Sequence, residues 1–162
     1  MTKKHNQPDF ANGQSNTILY AEDDENYARL LECTLKQAGY NHTLRVVKDG
    51  SEAMMYLKGE EKYADRAQFP LPNVVLADLK MPRVTGFEVL EWIRKRPELR
   101  SLIVVVLTSS ASHEDISKAY ELGANAYLVK PTDTTQLLDI LQAIKHFWLT
   151  HNHAPQPTTH LP

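Results

Sequence analysis

The chain has 162 residues, 42% of them hydrophobic, which is enough for one closed core and leaves little material for a second domain. Its 18 basic residues against 20 acidic ones give a net charge of -2 with no long run of either sign, so nucleic-acid binding by bulk charge is not indicated. The lone Cys33 cannot form an internal disulfide, the amino terminus lacks the apolar core of a secretion signal, and the longest strongly apolar run, residues 102–107, is far too short to span a membrane. A soluble, cytoplasmic protein is the expectation.

Residues 1–16 are polar, with Gly, Asn and Gln, and residues 151–162 carry three Pro in a polar setting, so both ends read as flexible tails around a domain spanning residues 17–150. The three histidines of the second tail, His151, His153 and His160, are read as incidental rather than as metal ligands. Between the tails, short runs rich in β-branched residues at 17–21, 43–47, 74–77, 103–107 and 126–129 predict five strands, each followed by a segment of helical period. The first helix has Tyr27, Leu31, Leu35 and Ala38 as its inner face and stops at Gly39. The fourth starts at Ser112 and stops at Gly123. The last begins at Asp133, with Gln136 placed for a capping box and Leu137, Ile140, Leu141, Ile144 and Trp148 recurring at helical spacing. One segment breaks the rhythm: residues 59–72 form a long connection before the third strand, and such connections are usually functional or mobile.

Five alternations of strand and helix predict an α/β fold, a doubly wound five-stranded parallel sheet with flanking helices, because parallel neighbours need crossover helices and strands buried on both faces. Such sheets bind ligands outside the carboxyl ends of their strands. The first strand runs into Glu22, Asp23 and Asp24, the third into Asp78, the fourth into Thr108, Ser109 and Ser110, and the fifth into Lys130 and Pro131. Any one of these alone means little, since acidic residues after a strand are commonly helix caps and a Lys before Pro is commonly a loop residue. Together they bring carboxylates, a hydroxyl and an ammonium to one cleft.

Glu22, Asp23 and Asp78 would repel one another and exclude a phosphate unless a cation sat between them. Magnesium suits such a set, being hard, octahedral and commonly held by one or two carboxylates plus a substrate phosphate. No Gly-rich loop follows the first strand, so a nucleotide cradled by backbone amides is not expected. A carboxylate can itself attack phosphorus if the charge on the equatorial oxygens is neutralised, here by magnesium, Lys130 and the Thr108 hydroxyl, while the small Ser109 leaves the approach open.

The stretches ILYAEDDEN, VVLADLKMPRVTGFEVL, IVVVLTSS and GANAYLVKPTD resemble the receiver domains of bacterial response regulators over roughly residues 17–149. That resemblance implies a flavodoxin-like receiver fold in a two-component system, with a histidine kinase as partner. It makes Glu22 and Asp23 the acidic pair, Asp78 the phosphoacceptor and Lys80 the donor of a metal-binding carbonyl. Thr108 becomes the switch hydroxyl, Tyr127 the switch aromatic and Lys130 the phosphate-facing ammonium, with a cis bond to Pro131. Asp24 is then a cap of the first helix, and Lys80 and Ser110 fall where the family tunes the lifetime of the phosphorylated state. The long segment before the third strand, with VVLTSSASHED and ELGANAYLVKP, resembles the phytochrome-associated single-domain response regulators of cyanobacteria, which implies a phytochrome kinase.

Competing readings are a haloacid dehalogenase-type phosphatase, which needs an acid two residues after its nucleophile where this chain has Lys80, and an unphosphorylated docking module on the same fold. A transcription factor is not expected without an output domain after residue 150. Many receivers pair through the face of the fourth helix, fifth strand and fifth helix, and Tyr120, Leu128, Phe147 and Trp148 put more apolar surface near that edge than one core needs, so a homodimer is expected.

Overall fold

The structure, a computed structural model, describes residues 16–40 and 43–155. The first tail, apart from Asn16, and residues 156–162 of the second lie outside the described residues. Strands β1 (Thr17–Ala21), β2 (Thr43–Val47), β3 (Val74–Ala77), β4 (Ile103–Thr108) and β5 (Ala126–Val129) form one parallel sheet in the order β2-β1-β3-β4-β5. Helices α1 (Glu25–Gln37), α2 (Gly50–Lys58), α3 (Gly86–Arg94), α4 (His113–Glu121) and α5 (Thr134–Ile144) make the connections and cover both faces. No helix among the described residues is long and apolar enough to cross a membrane.

Alternation along the strands splits the core in two. Leu19, Ala21, Val75, Ala77, Val104 and Val106 face a cluster that includes Tyr56 and Leu57 of α2 and Val89, Leu90 and Ile93 of α3. Their neighbours Ile18, Tyr20, Val74, Leu76, Val105 and Leu107 face Leu31 and Leu35 of α1 and Leu137, Leu141 and Ile144 of α5. Both faces are therefore apolar, which is why these strands read as continuous β-branched runs.

Helix ends follow local chemistry. Asp24 caps α1, its carboxylate accepting from the Asn26 and Tyr27 amides at 2.9 and 3.2 Å. Ser112 caps α4 through the Asp115 amide, and Gly123 beyond its end has φ +96°. Asp133 caps α5 as expected but accepts from Thr135, two residues on, and the capping box forms instead at α3, between Thr85 and Glu88. The helical path beyond α5 continues as a wider turn over Lys145–His151, so the chain stays helical into the start of the expected tail.

One expectation needs correcting. The Lys130–Pro131 peptide is trans, like every described peptide bond, which is the lower-energy isomer by roughly 0.5–1 kcal/mol before proline. Segment 59–72 is packed down: Arg66 donates to the carbonyls of Tyr56, Leu57 and Phe69, and the rings of Tyr63 and Phe69 meet each other and Tyr56 in tilted or edge-to-face contacts.

The loop after β3 makes a close backbone contact with the start of α3. The Gly86 amide donates to the Leu79 carbonyl at 3.0 Å, and a Cβ on Gly86 would fall 2.1 Å from the Asp78 carbonyl oxygen. Backbone, not a flexible side chain, would have to move. Gly86→Ala should therefore destabilise the domain by about 1–3 kcal/mol, read as a lower urea midpoint at unchanged m value.

Candidate functional site

Parallel register brings the strand ends to one edge. Ala21 pairs with Ala77, Ala77 with Val106 and Thr108 with Val129, so Glu22, Asp78 and Lys130 follow one another across the sheet beside Thr108. Backbone bonds hold them there: the Asp78 amide donates to the Ala21 carbonyl at 3.0 Å, and the Lys130 amide to that of Thr108 at 2.7 Å.

Three carboxylates converge. One oxygen each from Glu22, Asp23 and Asp78 lies within 4.8 Å of the others. Glu22 and Asp78 are only 2% and 5% exposed, whereas Asp23 faces solvent. Between the buried pair sits the Lys130 ammonium, ion-paired to Glu22 Oε2 and 3.1 Å from Asp78 Oδ2. Its Nζ also lies 4.6 Å from the centre of the Tyr27 ring. Glu22 Oε1 accepts from the Asp24 amide at 3.0 Å, and Oε2 from the Tyr20 hydroxyl at 2.7 Å.

Burial pushes the Glu22 carboxyl up, against the opposing pull of its bonds to Lys130, Asp24 and Tyr20, and the Asp78 charge adds to the rise. Burial pulls the Lys130 ammonium down, but its hydrogen bond to Glu22 and the charges of Asp78 and Glu22 outweigh that, so it is raised. The Tyr20 hydroxyl is raised by burial and then by the Glu22 charge, and remains a donor. A single ammonium against two buried carboxylates leaves the cluster attractive to a further cation.

The remaining predicted residues fall into place around this pair. Thr108 is fully buried, and its hydroxyl oxygen has no hydrogen-bond partner. Lys80 enters through its backbone: its amide donates to Asp78 Oδ1 at 3.4 Å while its side chain is exposed. Tyr127 is half-buried, its hydroxyl donating to the Ser110 carbonyl at 2.9 Å, and the Ser110 hydroxyl donates to Asp115 of α4 at 2.5 Å. Sequence reasoning missed Tyr20, treated only as strand, and saw Tyr27 only as the inner face of a helix. The signal for Tyr20 was present: at period two it stands on the same side of the chain as Glu22.

A parallel sheet in this order, with carboxylates, a lysine and a buried hydroxyl at its carboxyl edge, defines a receiver domain. Residues 18–142 match the response regulator receiver domain, and the chain belongs to that family. It is 38% identical over 132 residues to response regulator Rcp1 of Synechocystis sp., a match covering 82% of this chain and 88% of Rcp1. Its structure resembles that of the phosphorylated cyanobacterial phytochrome response regulator RcpA, with a TM-score of 0.80 at 35% identity over 88% of this chain and all of that one. It also resembles the Mn(2+)-bound form of Rcp1, with a TM-score of 0.76 at 36% identity over 87% of this chain and 99% of that one.

The donor set fits a divalent metal ion: three hard oxygen donors, and a net excess of buried negative charge. Because the folded Glu22 carboxyl is raised above its unfolded value of about 4.3, its protonated form favours the metal-free fold. That contribution is complete below the unfolded value and is lost as pH rises through the folded one. A metal needs the deprotonated carboxylate, so it restores stability where the proton is absent. Melting scans with and without magnesium chloride should show a larger rise in Tm at pH 8 than at pH 5. Asp23→Ala should shrink the rise at both, and an equal rise at the two pH values would contradict this role of Glu22.

Proposed function

We propose that this chain is a single-domain response regulator that takes a phosphoryl group from a sensor histidine kinase onto Asp78, in a magnesium-dependent reaction. The observation that carries this reading is the placement of the Asp78 carboxylate, with Lys130 3.1 Å from one oxygen, two further carboxylates in reach, and the unpartnered Thr108 hydroxyl at the adjoining strand end. The phytochrome response regulator RcpA among the similar structures favours a phytochrome as the kinase, and we place both partners in the cytoplasm. The haloacid dehalogenase reading lacks its acid, since position 80 is an exposed Lys.

An Asp78 oxygen attacks the phosphorus of the kinase's phosphohistidine; the new O–P bond forms as the N–P bond breaks, and the bonding pair leaves with the imidazole nitrogen. Glu22, Asp23, Asp78 and the backbone of Lys80 would hold magnesium. When bound, that ion supplies positive charge against the oxygens of the transferring group. Lys130 balances a further oxygen from the opposite side, as a fixed charge needing no reorganisation at the moment of transfer. The protein accelerates only its own phosphorylation and dephosphorylation.

The phosphoryl group then offers the Thr108 hydroxyl the acceptor it lacks. Drawing Thr108 inward opens room beneath α4, which the Tyr127 ring fills once its hydroxyl releases the Ser110 carbonyl. Local charge thus becomes surface shape on the face of α4, β5 and α5, where we place a homodimer contact. Of the four apolar residues expected there, Leu128 and Trp148 pack against the core, while Tyr120 and Phe147 are exposed. Those two, with Val129, are the surface a two-fold partner would cover.

Phosphotransfer from a labelled kinase tests the acceptor and the switch together. Asp78→Asn should fold yet take no label, whereas Thr108→Ala should take label but respond poorly to it; full labelling of Asp78→Asn overturns the assignment. Sedimentation at micromolar concentration addresses the dimer. Wild type with the beryllofluoride phosphate mimic should run as a dimer that Phe147→Ala disrupts, and a monomer with and without the mimic ends that proposal.

A further inference from the structure

Ser110 is tied down on two sides. Its carbonyl accepts from the Tyr127 hydroxyl at 2.9 Å, and its own hydroxyl donates at 2.5 Å to Asp115 Oδ2, in the first turn of α4. The same hydroxyl accepts from the Ser112 amide at 3.3 Å, and the Ser112 side chain caps α4 by accepting from the Asp115 amide at 3.2 Å. One residue thus joins edge strand β5 to helix α4, just beyond the Thr108 hydroxyl that has no partner. Glu114, the neighbouring acid of the same turn, is exposed and takes no part in this set.

On the phosphoacceptor reading above, on which this inference rests, Thr108 moves toward a phosphoryl oxygen on Asp78 and Tyr127 releases the Ser110 carbonyl. A shift of this kind carries Ser110 with it, because only Ser109 separates it from Thr108. A hydrogen bond as short as that to Asp115 tolerates little displacement before its geometry is lost. The resting loop therefore makes this bond and the shifted loop gives it up, and an interaction confined to one state biases the equilibrium toward that state. We propose that Asp115 is a latch: its carboxylate, by holding the Ser110 hydroxyl, keeps the loop between β4 and α4 in the resting arrangement and opposes the change that a phosphoryl group on Asp78 drives.

A latch predicts a gain when it is cut. A ligand that binds the shifted state works against whatever holds the resting one, so its apparent affinity rises when the bond is removed. Ser110 and Asp115 are both half-buried, which reduces the worth of a hydrogen bond to a carboxylate to about three- to tenfold in the equilibrium. Magnesium alone brings no phosphoryl oxygen for Thr108, so its affinity should stay the same. If Asp115 acted only by stabilising the start of α4 against the helix dipole, Glu114→Ala would reproduce its effect. If it acted only by repelling an anion at the site, its removal would help equally whether or not the Ser110 hydroxyl were present.

Titration calorimetry with beryllofluoride in saturating magnesium, and with magnesium alone, separates these cases on wild type, Asp115→Ala, Ser110→Ala, the double variant and Glu114→Ala. The expected result is about three- to tenfold tighter beryllofluoride binding in each of Asp115→Ala and Ser110→Ala, no further gain in the double variant, and wild-type binding in Glu114→Ala. In the ligand-free protein, the amide resonances of residues 109–116 in Asp115→Ala should lie part-way toward their positions in beryllofluoride-bound wild type. Unchanged or weaker beryllofluoride binding in Asp115→Ala, an equal gain in Glu114→Ala, or an undiminished gain when Asp115→Ala is added to Ser110→Ala would each overturn the latch while leaving the acceptor assignment standing. Failure of wild type itself to bind beryllofluoride with magnesium would overturn the phosphoacceptor reading, and the latch with it.

Discussion

Everything at the carboxyl edge of the sheet depends on one ammonium held between two buried carboxylates. Charges that leave water need partners, and Glu22 and Asp78 share theirs in Lys130. The shared cation makes it possible to fold a carboxylate cluster without a metal, yet it leaves negative charge uncompensated. Burial raises the proton affinity of Glu22 and the Asp78 charge adds to it, so the cluster favours a cation, whether a proton or a metal. Parallel register supplies the positions, because β1 and β3 pair in step and deliver Glu22 and Asp78 to the same edge, while β4 runs two residues past Val106 to place Thr108 there.

The second dependence is on an absent bond. Thr108 is wholly buried and its hydroxyl oxygen is without a partner, a state that costs about 1–3 kcal/mol for a neutral group. On the proposed reading, that hydroxyl at the end of a strand beside Asp78 is the donor for an arriving phosphoryl oxygen. Its neighbours lead outward through real bonds: Tyr127 to the Ser110 carbonyl, the Ser110 hydroxyl to Asp115, and the Asp115 amide to Ser112 at the start of α4. Moving Thr108 therefore disturbs a loop whose contacts run directly into a helix.

The strands were legible as short apolar runs, and the three central ones, β1, β3 and β4, are buried on both faces; only β4 extends further than read, since Thr108 pairs with Val129 and so stays in the ladder. The strand-end residues were legible for the same reason, as each follows its run by one position. What could not be read depends on contacts between distant residues. Segment 59–72 has no period of its own, and its order comes from Arg66 reaching carbonyls on α2 and from rings stacking on Tyr56. The role of Tyr20 was hidden by its aromatic side chain, which reads as core and is core, while one atom of it belongs to the site. Asp133 and Gln136 had the spacing of a capping box, but Asp133 satisfied the nearer Thr135 amide instead.

Strand β5 shows why chemistry and surface are so closely joined in this fold. It lies at the edge of the sheet, is only half-buried over Ala126, Tyr127 and Leu128, and ends in an exposed Val129. The next residue is Lys130, whose ammonium holds the two buried carboxylates. Tyr127, two residues before Val129, is tied to the loop that leads to α4. A change in what Lys130 binds thus occurs one peptide away from the open surface, with no intervening layer to absorb it. A central strand such as β3, covered on both sides, could carry the acceptor but could not report on it. On the proposed reading, the acceptor follows a buried strand where its geometry is fixed, and the lysine follows the edge strand, where its movement would be felt by a partner.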